Sequence, residues 1–121
     1  MASVLVVEDD RAIARLLLEF LRDRGHEARQ AGGGMEALSL MRQRKFDLVL
    51  LDIAMPGISG IETLRQLKVE FPSTAVIMIS GVSDEQVALM SLTLGASDFL
   101  RKPFDLDYLD RVVAQGLALT P

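Results

Sequence analysis

The fold is decided by residues 4–10, which read VLVVEDD. Four aliphatic residues in a row, three of them β-branched, are typical of a strand buried on both faces of a parallel sheet. Two further apolar runs lead into charged residues in the same way: LVLLD at 48–52 and DFLRKP at 98–103. The carboxyl ends of parallel strands meet at one edge of a sheet, so we expect these charged side chains to lie together there.

Short aliphatic runs alternate with longer segments of helical period along the whole chain. This alternation predicts a doubly wound α/β domain, with a five-stranded parallel sheet and five crossover helices. The mixed polar run at 27–31 favours an edge strand and the apolar run at 47–52 a central one, which gives the order 2-1-3-4-5. The predicted strands are 3–7, 27–31, 47–52, 75–80 and 98–101. The predicted helices are 11–24, 35–44, 58–71, 84–94 and 106–117.

Length and composition limit the possible functions. The 121 residues predict a single domain over 1–121, either a whole protein or the N-terminal part of a longer one. The net charge is −4, from 17 acidic and 13 basic residues without a dense basic run, so we expect no direct nucleic acid binding by this domain. No apolar stretch approaches the ~20 residues that span a bilayer. Without cysteine or a secretory signal, the expected location is cytoplasmic.

The acidic residues at the strand ends predict a metal-dependent phosphate site centred on Asp52. Crowded carboxylates repel one another, and a divalent cation relieves that repulsion. Asp52 ends the most buried strand and is the candidate nucleophile for a phosphoryl group. Asp9 is expected to bind Mg²⁺ directly and Glu8 to hold it through water, with the backbone carbonyl of Ala54 as a further ligand.

Two more side chains are predicted to complete this site. Lys102, after the last strand, is expected to pair with Asp52 before reaction and with a phosphoryl oxygen afterwards. Ser80 ends the fourth strand, where its hydroxyl can donate a hydrogen bond to the same phosphoryl group. Four strand ends would thus contribute one role each.

Several motifs together resemble the receiver domain of bacterial two-component response regulators. They are VVEDD at 6–10, DIAMPGISG at 52–60, the Ser80-Gly81 pair and GASDFLRKPF at 95–104. The resemblance implies a flavodoxin-like fold in which a sensor histidine kinase or phosphotransfer protein passes a phosphoryl group to Asp52. It also implies that Glu8 and Asp9 form the acidic pair, that Ser80 and Phe99 are the switch residues, and that Lys102 is the catalytic lysine.

The same resemblance implies a cis peptide before Pro103, and a phosphorelay signalling protein that catalyses only its own phosphorylation and dephosphorylation. It is thus not expected to be an enzyme for an external substrate.

The helix predicted at 84–94 carries more apolar side chains than one buried stripe accommodates. They are Val87, Ala88, Leu89, Met90, Leu92 and Leu94. We interpret this helix, with the strand at 98–101 and the last helix, as a partner surface for an output domain or a second copy of the chain.

Two alternatives come from other functional classes. An aspartate-nucleophile phosphatase places a second carboxylate two residues after its nucleophile, but that position is Ala54 here. A phosphorylation-independent receiver-like interaction module would keep the fold without the chemistry. The acidic pair, Asp52, Ser80 and Lys102 argue against such a module, whereas an absence of Mg²⁺ binding would favour it.

Overall fold

Five parallel strands form one sheet in the computed structural model of the protein, which describes residues 2–54, 57–81 and 85–118. The strand order is β2-β1-β3-β4-β5, which confirms the predicted doubly wound topology. The strands are β1 Ser3–Val7, β2 Glu27–Ala31, β3 Leu48–Asp52, β4 Ala75–Ser80 and β5 Asp98–Arg101. The helices are α1 Arg11–Asp23, α2 Gly34–Gln43, α3 Gly60–Glu70, α4 Glu85–Thr93 and α5 Leu106–Ala118.

The central strands are buried from end to end because helices cover both faces of the sheet. Every residue of β3 and β4 is buried, whereas β2 buries Ala28 and Ala31 and exposes the other three side chains. Val7 of β1 pairs with Leu51, and Asp52 pairs with Ile79 of β4. This register brings the carboxyl ends of β1, β3 and β4 to the same level.

Two apolar layers hold the helices on the sheet. On one face, Leu17 and Phe20 of α1 and Val112 of α5 pack among side chains such as Val6 and Leu50. The other layer is built around α2 and α3, and its buried members include Leu38, Met41, Val49, Leu64, Leu67 and Met78. The alternation of inward and outward positions along β1 and β3 divides the two layers.

Most helix boundaries differ from the predicted ones by one or two residues, and side-chain caps determine where two of the helices begin. Asp10 accepts hydrogen bonds from the N–H groups of Ala12 and Ile13 at 2.9 and 3.2 Å, so α1 begins at Arg11 as predicted. The third helix was predicted from residue 58, but Ser59 caps it by accepting from Glu62 N at 3.1 Å. It therefore starts at Gly60.

The third strand was predicted from Asp47 and begins one residue later. The Asp47 side chain instead accepts a hydrogen bond from Ser3 N at 2.9 Å, which ties the start of β1 to the loop before β3. Gly25 and Gly95 follow α1 and α4 with φ values of +84° and +109°, the left-handed conformation that closes a helix. The peptide bond before Pro103 is cis, as the resemblance implied.

Among the residues that the structure describes, no helix is both long and apolar enough to cross a membrane.

Candidate functional site

Asp52 is the last residue of β3 and lies in the middle of the sheet, between the ends of β1 and β4. Its side chain is almost fully buried, and its Oδ1 accepts a hydrogen bond from Ala54 N at 3.2 Å. The sheet fixes the backbone of Asp52, and this bond orients its carboxylate toward the loop that follows. The carbonyl of Ala54 remains a predicted metal ligand.

A close approach by α3 supports the loop after Asp52. Gly60 N donates to Ile53 O at 2.9 Å, and a Cβ atom at Gly60 would overlap the Asp52 carbonyl oxygen and the Ile53 backbone. Only glycine lets the start of α3 pack this tightly on the backbone that carries Asp52. The glycine at position 60 therefore has a structural reason tied to the site.

Glu8 and Asp9 lie directly beyond β1. The Glu8 side chain is buried, and its Oε2 accepts a hydrogen bond from Asp10 N at 3.2 Å, whereas Asp9 is exposed. One carboxylate oxygen from each of Glu8, Asp9 and Asp52 can be chosen so that all three lie within 4.8 Å of one another. The structure thus brings together the three carboxylates that the sequence predicted.

Lys102 reaches this cluster from the end of β5. Its Nζ lies 2.8 Å from Glu8 Oε1 and 3.3 Å from Asp52 Oδ2, so one ammonium group is shared by two buried carboxylates. Burial opposes the charged form of Lys102, but the contacts with Glu8 and Asp52 outweigh it and hold the pKa of Lys102 above its usual value. The lysine therefore stays protonated across the physiological range.

The charges of the cluster do not balance. Three carboxylates face one ammonium group, and burial raises the pKa of Glu8 to about 7 although Lys102 acts in the opposite direction. The side-chain ligand atoms of the cluster are all carboxylate oxygens, the type of ligand that Mg²⁺ prefers. Asp9 is exposed, which leaves room for the water molecules that this ion keeps. The donor set fits a small divalent cation.

The two predicted switch residues occupy different positions relative to this cluster. Ser80 is buried at the end of β4, and its carbonyl oxygen accepts a hydrogen bond from Lys102 N at 2.7 Å, which joins the ends of β4 and β5. Phe99 lies in β5 opposite Met78, is partly buried, and packs against the layer formed by α2 and α3. Phe99 therefore belongs to the core edge and not to the charged cluster.

A family model of the response regulator receiver domain matches residues 4–114. The chain belongs to this family. Its receiver domain has the sheet order and the number of helices that the sequence predicted.

This receiver domain is similar to known proteins over nearly its whole length. It is 39% identical over 118 residues to the transcriptional regulatory protein ZraR of Klebsiella oxytoca, covering 98% of this chain and 27% of ZraR. It is 35% identical to the sporulation initiation phosphotransferase F of Bacillus subtilis strain 168, covering 97% and 94% of the two chains. The receiver domain of NtrX from Brucella abortus superimposes with a TM-score of 0.91 at 37% identity, covering 95% and 98%. The chain spans about a quarter of the length of ZraR.

Sequence reasoning missed one residue of the receiver domain next to the cluster. Gln30, on the edge strand β2, donates a hydrogen bond from its side-chain amide to the Glu8 carbonyl oxygen at 3.0 Å. Strand alternation could have identified Gln30 as facing the α1 side, because it pairs with Val6 of that layer. It could not have identified the contact, which depends on where the chain turns after β1.

Proposed function

We propose that this receiver domain is a phosphoacceptor of a two-component system, switched when a sensor histidine kinase or phosphotransfer protein phosphorylates Asp52 in the presence of Mg²⁺. The observation that carries the proposal is the contact of Lys102 Nζ with both Glu8 and Asp52, beside exposed Asp9. This is a positively charged group next to a buried nucleophile, within a carboxylate cluster that still carries excess negative charge.

The chemistry at Asp52 is a phosphoryl transfer between two side chains. A carboxylate oxygen of Asp52 attacks the phosphorus, the phosphorus–nitrogen bond of the donor phosphohistidine breaks, and its electron pair stays with the nitrogen. An acyl phosphate is left on Asp52. Because the sheet and the Ala54 N–H orient the carboxylate, little motion of the nucleophile is needed before attack.

Glu8, Asp9, Asp52 and the carbonyl of Ala54 would hold Mg²⁺ in this proposal. The bound ion supplies neutralisation of charge on the transferring phosphoryl oxygens. Lys102 contributes a second positive charge from the β5 side, first to Asp52 and then to a phosphoryl oxygen. The hydroxyl of Ser80, at the end of β4, would donate a hydrogen bond to the phosphoryl group.

The phosphoryl group would act as a switch because its contacts differ between two conformations of the domain. A conformation that brings Ser80 and Lys102 to the new charge gains population, and the gain in free energy is no larger than the difference in phosphoryl contacts between the two conformations. The 2.7 Å hydrogen bond between Lys102 N and Ser80 O couples the ends of β4 and β5, so they would move together. Phe99, in β5 and partly buried, would rotate inward as they do.

The proposed output surface consists of α4, β5 and α5. On α4, Leu89, Met90 and Leu92 are 64%, 49% and 46% exposed. A cavity of about 300 Å³ next to β5 is lined by Phe99, Pro103, Phe104 and Tyr108, among others. This surface suits a second copy of the chain or an output domain.

We further propose that residues 1–121 are a single receiver domain and that it acts in the cytoplasm, as expected from the sequence. The domain would catalyse only reactions at its own Asp52. The retained carboxylates and Lys102 support this over a phosphorylation-independent interaction module.

Intact-mass analysis after incubation with acetyl phosphate and Mg²⁺ tests the proposal. We expect a single phosphoryl adduct that is lost with EDTA and in the Asp52→Asn variant. An adduct that persists in Asp52→Asn would assign the acceptor to another residue. No adduct from acetyl phosphate or from a panel of phosphorylated histidine kinases, on folded protein with Mg²⁺, would favour the phosphorylation-independent module.

A further inference from the structure

A groove with a volume of about 750 Å³ runs between α1, β2 and α2. It reaches the carboxylate cluster at Asp9, and Gln30 of β2 lines it beside Arg11. Gln30 is exposed, yet its side-chain amide donates to the Glu8 carbonyl oxygen at 3.0 Å. An edge-strand side chain therefore contacts the backbone between the two acidic residues.

This contact fixes a particular peptide unit. The carbonyl of Glu8 and the N–H of Asp9 belong to one planar group, so orienting the carbonyl orients both neighbouring Cα atoms. The N–H of Glu8 is held as well, because it donates to Ala31 O at 3.1 Å. Strand β2 thus holds Glu8 through the backbone of Ala31 and the side chain of Gln30.

The far end of the same turn is held from α1. Asp10 caps that helix with its side chain and donates its N–H to Glu8 Oε2 at 3.2 Å. The turn between β1 and α1 is therefore fixed at both ends, and Asp9 lies between them. Among the residues that the structure describes, Gln30 is the partner that holds the carbonyl of the peptide before Asp9.

We propose that Gln30 is a positioning residue for the metal site. It holds the Glu8–Asp9 peptide so that the two carboxylates leave the backbone in the directions that a cation shared with Asp52 requires. This inference rests on the proposed function, since it needs the cluster to bind Mg²⁺. Groups that orient metal ligands commonly change affinity although they do not touch the ion.

The test compares Mg²⁺ binding to the wild type and Gln30→Met by isothermal titration calorimetry. Methionine keeps the length and neutrality of the side chain but removes the amide donor. We expect the Kd for Mg²⁺ to rise about tenfold, the lower end of the usual cost of losing such a partner. Gln115→Met makes the same chemical change at an exposed position of α5 and should leave the Kd unchanged.

Two further readouts separate positioning from a general loss of stability. Gln30 is exposed and its hydrogen bond with the Glu8 carbonyl is only partly buried, so water can replace the lost amide. The midpoint of urea unfolding in EDTA should therefore be nearly the same for Gln30→Met and the wild type. In ¹H–¹⁵N spectra without metal, the Asp9 amide should shift in Gln30→Met, because its peptide group loses a hydrogen bond, and stay in place in Gln115→Met.

A Kd within twofold of the wild type in Gln30→Met would overturn the positioning role, as would an equal loss in Gln115→Met or a weaker affinity that only follows a lower unfolding midpoint. If the wild type itself binds no Mg²⁺, the metal part of the proposed function fails, and the role of Gln30 fails with it. The wild-type titration thus distinguishes the two failures.

Discussion

Helices α1 and α4 cover the same sheet in opposite ways. Helix α1 buries Ala14, Leu17, Phe20 and Leu21 and is capped by Asp10. Helix α4 leaves three large apolar side chains, Leu89, Met90 and Leu92, about half or more exposed. The first helix therefore buries most of its large apolar residues and leaves Leu16 45% exposed, whereas the second presents three such side chains that the described domain does not bury.

The difference matters because each helix follows a different part of the site. Helix α1 continues directly from Asp9 and Asp10, so the acidic pair is attached to a well-packed element. Helix α4 comes after Ser80, the end of β4. Under the proposed function, the groups that hold the cation lie beside a fixed helix, and the helix that changes its surface is the one with fewer buried side chains.

Matched truncations of one leucine on each helix give the largest expected difference. Leu17→Ala should lower the free energy of unfolding by about 3 kcal/mol, because a fully buried leucine leaves a cavity in the packed layer. Leu89→Ala makes the same chemical change on a side chain that is 64% exposed and should alter it by no more than about 0.5 kcal/mol. Urea denaturation of both variants measures the contrast.

The wild type and both variants should be compared without Mg²⁺ and as monomers, so that neither ligand binding nor association contributes to the unfolding free energy. Equal losses for the two leucines would mean that α4 is packed as firmly as α1, and the contrast between the helices would have to be abandoned.

The next largest effect is expected at Lys102, which contacts Glu8 and Asp52 from the end of β5. Replacing one positive group that stabilises a transferring phosphoryl group should slow phosphorylation by about 100-fold in Lys102→Met. The measurement is the initial rate with acetyl phosphate, extrapolated to saturating Mg²⁺ so that a changed metal affinity does not contribute. Lys45→Met, at an exposed lysine after α2, should keep the wild-type rate. A loss of less than threefold in Lys102→Met would remove the lysine from the chemistry.

The sequence was sufficient to predict the sheet and the charged cluster for one physical reason. Central parallel strands are apolar throughout, so a charged residue at their end marks the carboxyl edge of the sheet, and Glu8 and Asp52 stand at the ends of β1 and β3. Lys102 follows β5, which pairs with β4 at the side of the sheet. The register of β1, β3, β4 and β5 then brings the three residues together. Prediction was therefore strongest where backbone pairing alone determines position.

Features that depend on side-chain packing between elements were not predictable in the same way. The need for glycine at position 60 follows from how closely α3 approaches Ile53, which no local pattern reveals. On α4, apolar residues lie on several sides, so the pattern could not separate exposed Leu89 from Leu94, which is partly buried against the α2 and α3 layer. The sequence also predicts an N-cap for this helix at Asp84 and a turn at Pro56-Gly57, but Asp84 and Pro56 lie outside the described residues.

The smallest expected effect is a pH dependence of Mg²⁺ affinity, which tests the contribution of Glu8 at the end of β1. Burial raises the pKa of Glu8 to about 7, so below that pH a proton occupies the carboxylate and competes with a cation. Mg²⁺ affinity should therefore weaken about tenfold from pH 8 to pH 6, as the ionised fraction of Glu8 falls by that factor. Calorimetric titration at a series of pH values measures it.

Two variants identify the group responsible for this dependence. Glu8→Gln should bind Mg²⁺ more weakly at pH 8 but with little change toward pH 6, because the titrating carboxyl is gone. His26 is the chain's one histidine, and its Nδ1 accepts a hydrogen bond from Ala2 N near the start of β1, away from the carboxylate cluster. His26→Gln should therefore keep the full pH dependence. If the dependence disappears in His26→Gln and persists in Glu8→Gln, then His26 and not the buried carboxylate of Glu8 controls how Mg²⁺ affinity changes with pH.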